Sequence, residues 1–203
     1  FLRERDPHHT VILVQVENEM GILGSDRDYC EIANDLFAAD IPDEVSAVTG
    51  KQGDWVCAFG NDAEEIFMTW RYAGDIERIV SAGKQIPPLP MYVSAWLQQH
   101  PDVPGIYPSG GPIAKFISLW QAWAPSVDMY SPDIYDPCFG RVCWEYAREN
   151  NPLFIPEAAR NVKCVSRLFY AFGAYMLFRL FWNKSSVRWG HLLWMLSFYL
   201  LGY

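Results

Sequence analysis

The sequence predicts an α/β fold built on a parallel sheet, and three observations carry that prediction. Four apolar runs rich in β-branched or aromatic residues alternate with helix-period stretches over residues 1–175, a pattern that gives parallel strands joined by right-handed crossovers. Two of those runs end in carboxylates, at Glu19 and Glu157, as strands do when their last inward residues open into a site. The chain has 203 residues and is 51% hydrophobic, enough for one sizeable core. The element lengths suit (β/α) barrel units, with a doubly wound sheet as the structural alternative.

The first strand is read in Val11-Ile-Leu-Val-Gln-Val-Glu-Asn-Glu19. Period-2 alternation sets Leu13, Gln15, Glu17 and Glu19 on one face and Val14 and Val16 on the other. Ile22 to about Gly60 is a long connection punctuated by Gly24, Pro42, Gly50 and Gly53, with one short helix near Tyr29–Ala38. A connection of that length leaving the carboxylate end of a strand reads as one wall of a substrate cleft. Within it, Arg27 and Asp28 read as a solvated loop pair.

Asn61-Asp62 then caps an amphipathic helix running to about Ala82, with Ala63, Ile66, Phe67, Trp70, Ala73 and Ile76 on its apolar face and Glu64 and Glu65 in its first turn. Pro87 and Pro88 stop it. Leu89–Trp96 is the second strand, with Tyr92, Ser94 and Trp96 alternating against Met91, Val93 and Ala95. A Pro/Gly loop, Pro101–Pro112, leads to a helix over Ile113–Trp123 that ends before Pro125. Val127–Tyr135 is the third strand, Phe139–Glu149 the next helix, Pro152–Glu157 the fourth strand and Val162–Tyr175 the last helix.

The formal net charge of −8 excludes a nucleic-acid footprint, which needs clustered Lys and Arg. Cys30, Cys57, Cys138, Cys143 and Cys164 are scattered, with no C-x-x-C pair and no His spaced to join them, so no metal site is expected. Cys164–Trp182 and Gly190–Tyr203 are strongly apolar, but the first contains Arg167 and Arg179 and the second is shorter than the roughly 20 residues a bilayer requires. Neither is read as a membrane span. The expectation is a soluble chain, secreted or cytoplasmic, with Asn183-Lys184-Ser185 only a weak glycosylation sequon. No signal peptide opens the sequence; Phe1-Leu-Arg-Glu-Arg-Asp reads as the end of a helix.

Two glutamates at the C-terminal ends of parallel strands suit glycoside cleavage. One carboxylic acid protonates the leaving oxygen, and a carboxylate opposite attacks the anomeric carbon or activates water. Glu17 competes with Glu19 for the first role; Glu19 lies nearer the open end. No cofactor is needed for such chemistry. His8 and His9 precede the first strand and read as surface residues, while Trp120, Trp123 and Trp144 lie on helices and read as packing residues.

Gln15-Val-Glu-Asn-Glu-Met-Gly21, Ser131-Pro-Asp-Ile-Tyr135 and Leu153-Phe-Ile-Pro-Glu157 together resemble the β-galactosidases of glycoside hydrolase families 35 and 42. The resemblance covers roughly Val11 to Tyr175 and implies a (β/α)8 TIM barrel, of which this chain spans the fourth strand to the seventh helix. It implies cleavage of terminal β-D-galactosyl residues by a retaining double displacement, with Glu19 as acid/base, Glu157 as nucleophile and Asn18 on the sugar 2-hydroxyl. Trp96 is then a candidate sugar platform and Tyr135 a hydrogen-bond partner of the nucleophile, each with buried packing as the alternative, and Asp133 is a ligand for a sugar hydroxyl or, alternatively, a turn-capping carboxylate. The expected partner is a β-galactoside or oligosaccharide, with self-association through open strand edges expected as well. Residues 176–203 match no pattern of the family, although Met176–Trp182 has the character of an eighth strand. Two alternatives stay open: a non-catalytic carbohydrate-binding or remnant domain, and another activity of the same clan, such as β-glucosidase or β-mannanase.

Overall fold

Four strands, β1 (Val14–Glu17), β2 (Met91–Trp96), β3 (Met129–Ile134) and β4 (Glu157–Ala158), lie side by side in sequence order and are parallel throughout. This is the alternating α/β arrangement the sequence predicts, and the sheet curls into a half-barrel. The computed structural model describes residues 2–86, 88–135, 137–159, 161–162 and 165–173. Short α1 (Leu2–Arg5) precedes β1; α2 (Glu31–Ala38), α3 (Asp43–Thr49), α4 (Trp55–Phe59) and the long α5 (Ala63–Lys84) connect β1 to β2. Single helices, α6 (Ile117–Trp123) and α7 (Phe139–Tyr146), make the next two crossovers.

The outer face of the sheet is packed by helices. Val93, Ala95, Tyr130 and Ile134 bury against Ile66, Phe67, Ile76 and Val80 of α5, Ile117 and Trp120 of α6, and Val142 and Tyr146 of α7. The inner face has a smaller apolar floor of Tyr92, Met129 and Phe154, with Leu13 beside it. Tyr92 and Phe154 meet edge to face at 5.0 Å, a favourable aromatic geometry.

Several elements depart from the sequence reading. β1 is four residues rather than nine. Gln15 stands opposite Tyr92 and Glu17 opposite Val93, so Val16 is one residue too many for the ladder. Such a bulge bends the strand and ends the simple alternation; Glu17 is exposed. Asp62 occupies the N-cap position of α5 but makes no capping bond; its carboxylate instead meets Lys115 Nζ at 2.6 Å. β4 is only two residues long. The chain before it is tied to β3 by the buried Asn151 side chain, whose Oδ1 accepts from Tyr130 N at 2.8 Å and whose Nδ2 donates to Tyr130 O and Tyr146 O, both at 2.9 Å.

The largest departure is the long first connection, which carries three helices where one is predicted. They close over Trp55, which is fully buried among Phe37, Phe59, Phe67 and Trp70. Local signals start and stop them: Asp54 caps α4 by accepting from Cys57 N at 2.7 Å, and Gly50 ends α3 at φ 69°. Arg27 belongs to this layer and is not the solvated loop residue expected. It is 9% exposed, it donates to Asp28 O at 2.7 Å and to Asn34 Oδ1 at 2.8 Å, and its guanidinium lies between the rings of Tyr29 and Phe37.

The loop after β2 is locked to the loop after β1. Ile22 and Ser109 exchange backbone hydrogen bonds at 3.0 and 2.9 Å, and Gly24 N donates to Gly105 O at 2.9 Å. Gly110 (φ 83°) presses so closely on the α5 backbone at Met68 and Thr69 that a side chain would collide there, and Gly111 lies equally close to Met20 O. Residues 165–173 are helical, inside the predicted Val162–Tyr175 helix. Cys164, the sequon and the possible strand at Met176–Trp182, with the rest of 176–203, lie outside the described residues. Among the described residues no helix is long and apolar enough to cross a membrane.

Candidate active site

The inner face of the half-barrel rises in layers, because strand side chains alternate with period 2. Tyr92 and Met129 pair at the floor, Ser94 and Ser131 pair above them, and Trp96, Asp133 and Glu157 stand in one row across β2, β3 and β4. The polar top row is therefore fixed by register.

Glu19 arrives from the fourth side. It sits two residues beyond β1 in the left-handed region, at φ 50°, a conformation uncommon for a residue with a side chain. Its backbone N–H donates to the buried Ser94 Oγ at 3.0 Å. The same hydroxyl accepts from Gln15 Nε2 at 3.3 Å, while Gln15 Oε1 accepts from Tyr92 Oη at 2.7 Å. A short polar chain on the inner face thus supports the turn that presents Glu19.

Glu19, Trp96, Asp133, Tyr135 and Glu157 line one cleft of about 590 Å³, together with Leu97, Gln99, His100 and Pro137. Five of the six residues expected at the site are brought together. Asn18 is not among the lining residues: it is exposed, and its Oδ1 accepts from Gln15 Nε2 at 2.9 Å.

The electrostatics distinguish the three carboxyl groups. Burial, and then the charge of Glu157, hold the Glu19 pKa above the ordinary glutamate value, with Asp133 acting in the opposite sense. Asp133 is 4% exposed, and neither of its carboxyl oxygens reaches a partner at hydrogen-bonding geometry. Its pKa is pushed up to about 7, first by burial; the nearby Ser94 hydroxyl pulls it down, and the Glu157 and Glu19 charges add to the rise. Glu157 is exposed, and Tyr135 Oη donates to its Oε1. That hydrogen bond is the main reason the Tyr135 hydroxyl is pushed up to about 12. The cleft therefore holds an exposed carboxylate that accepts from a phenol, a carboxyl with a raised pKa, and a buried carboxyl with unmet acceptor capacity.

Ser94, Gln15 and His100 are site residues that the sequence reading did not single out. Ser94 carried a signal, being the polar residue of an otherwise apolar strand on the face that leads to Trp96. His100 lies in a loop and carried none. Among the described residues no group of three or more His, Cys, Asp or Glu is arranged to hold a metal ion. No family model matches the chain, and no curated protein matches it.

Proposed function

We propose that this chain carries the catalytic half of a retaining glycosidase, its sheet forming four strands of a (β/α)8 barrel, and that its substrates are β-galactosides. The observation that carries the reading is the pairing of Glu19 and Glu157 across one cleft, where the charge of Glu157 helps to raise the pKa of Glu19. A retaining enzyme needs that asymmetry: one carboxyl protonated at working pH and one ionised.

Glu157, steadied by Tyr135, attacks the anomeric carbon while Glu19 gives its proton to the departing oxygen. The glycosyl ester at Glu157 has no charge, so one cause of the raised Glu19 pKa disappears. Glu19 then takes a proton from the incoming water, which cleaves the ester and frees the sugar with its original anomeric configuration. The unmet oxygens of Asp133 accept from sugar hydroxyls, and the Trp96 ring supplies a face for the apolar side of the sugar. The choice of galactose rests on the sequence resemblance.

Incubation with a 2-deoxy-2-fluoro-β-galactoside, followed by intact-mass analysis and peptide mapping, tests the proposal. The expected result is one stoichiometric label on Glu157. A folded chain that binds galactosides but takes no label would overturn the catalytic reading in favour of a carbohydrate-binding domain.

A further inference from the structure

A second groove, of about 580 Å³, lies beside the carboxylate cleft, and Leu97 and His100 line both. Its other walls come from α7 and the residues that follow it, and from the approach to α6. The charge there runs against that of the molecule. Lys115, Arg141 and Arg148 line the groove against only Asp102 and Glu145, in a chain whose net charge is −8.

The three cations differ. Lys115 meets Asp62 at 2.6 Å and Arg141 meets Glu145 at 2.9 Å, and both pairs are substantially exposed. Exposed ion pairs of this kind are weak, so an incoming anion can compete for the cation. Arg148 is half-buried and held by two backbone carbonyls: Nε donates to Glu145 O at 2.7 Å and Nη2 to Ala114 O at 2.6 Å. Those bonds orient the guanidinium without neutralising it, and among the described residues no carboxylate forms an ion pair with it. A fixed, uncompensated guanidinium is a receptor for a planar or tetrahedral oxyanion, which it engages through a charge-assisted fork.

We propose that this groove is a subsite for an oxyanion carried by the sugar next to the one in the carboxylate cleft, with Arg148 as its principal contact and Arg141 and Lys115 at its rim. Uronic-acid carboxylates and sulfate esters share the required chemistry. The assignment of the neighbouring cleft to a galactosyl unit rests on the glycosidase reading; the anion preference of the groove does not.

Titration calorimetry on the full chain at low salt compares β-galactosides of glucose, of glucuronate and of glucose 6-sulfate, with methyl β-glucuronide as a probe of the groove alone. The charged galactosides are expected to bind at least about tenfold more tightly than the neutral one, an advantage that shrinks as salt rises. Arg148→Gln abolishes that advantage. Arg141→Glu, at an exposed position, reduces it several-fold and stands as the control should Arg148→Gln fail to fold. Stronger binding of the glucuronate identifies a carboxylate as the natural group, and stronger binding of the sulfate identifies an ester. Equal affinity for neutral and charged galactosides, or a charged advantage that survives both substitutions, overturns the subsite and leaves the glycosidase reading intact. Methyl β-glucuronide bound through Arg148 by a chain that ignores neutral galactosides upholds the groove and overturns the glycosidase reading.

Discussion

The buried Ser94 hydroxyl accepts the backbone N–H of Glu19 at 3.0 Å, joining the middle of β2 to a residue in the left-handed region beyond the end of β1. This bond holds the turn that aims Glu19 into the cleft. Ser94→Ala leaves that N–H, and one contact of Gln15 Nε2, without an acceptor. Losing a buried partner costs about 1–3 kcal/mol, so urea unfolding is expected to show a loss of that order. Turnover should fall with it through kcat, as Glu19 is released from its productive conformation.

Replacing Glu19 by Gln removes the proton but keeps the shape. General acid catalysis contributes about 10²–10⁴-fold, and hydrolysis of a galactoside with a poor leaving group should drop by that factor. A nitrophenyl galactoside, whose leaving group needs little protonation, should lose far less in the glycosylation step. Equal losses on both substrates would show that Glu19 is not the acid.

Tyr135→Phe removes the hydroxyl that donates to Glu157 Oε1. A hydrogen bond to a charged group is worth about 1.5–3 kcal/mol, so kcat/KM should fall roughly 10- to 100-fold. Urea unfolding of Tyr135→Phe should be unchanged, whereas a purely structural role for Tyr135 would lower stability together with kcat/KM.

Glu65 gives a prediction about stability. It is 2% exposed, Tyr107 Oη donates to its Oε2 at 3.1 Å, and its Oε1 has no partner. Burial pushes its pKa up from 4.5 to about 7. A raised folded-state pKa favours the protonated form on folding. The resulting stabilisation is complete below the unfolded value and is lost as pH rises to about 7, by an amount on the order of 3 kcal/mol. Melting at pH 5 and pH 8 should therefore show a higher Tm at pH 5, and Glu65→Gln should narrow the gap. Asp133 and Glu19 shift in the same direction, so part of the slope should remain in Glu65→Gln and shrink further when Asp133→Asn is added.

What could be read in the sequence depended on element length and burial. The helix predicted to about Ala82 ends at Lys84, and the strand predicted over Leu89–Trp96 begins at Met91; both are long enough for periodicity to build. Helices α2, α3 and α4 have eight, seven and five residues, too few turns for an apolar stripe to stand out, and only the first was predicted. The Val16 bulge was hidden for another reason: Val-Gln-Val-Glu alternates whether or not the ladder accepts every residue. At the candidate site, Trp96, Asp133, Tyr135 and Glu157 were legible because strand alternation carries them to one end of one face; Glu19 reaches the same cleft from a left-handed turn beyond the bulge, so its place at the strand end was legible and its route was not. Asn18 sits in the turn between those regularities, where Gln15 holds it. Arg27 was misjudged because a charge in a Gly- and Asp-rich stretch reads as solvated, and nothing local announces that Tyr29 and Phe37 will close around it.

The loop after β2 has two arms of unequal freedom. Residues 105–111 are bolted to the first connection and to α5, with Gly110 and Gly111 where any larger residue would collide. Gln99 and His100, on the other arm, are exposed on the rim of the cleft. A lineage diversifying from this scaffold can therefore vary residues 97–102 without disturbing the frame, whereas an insertion in 105–111 would displace Met20 and with it the neighbouring Glu19. Libraries aimed at new substrates belong at 97–102, and the glycines beyond should be left alone.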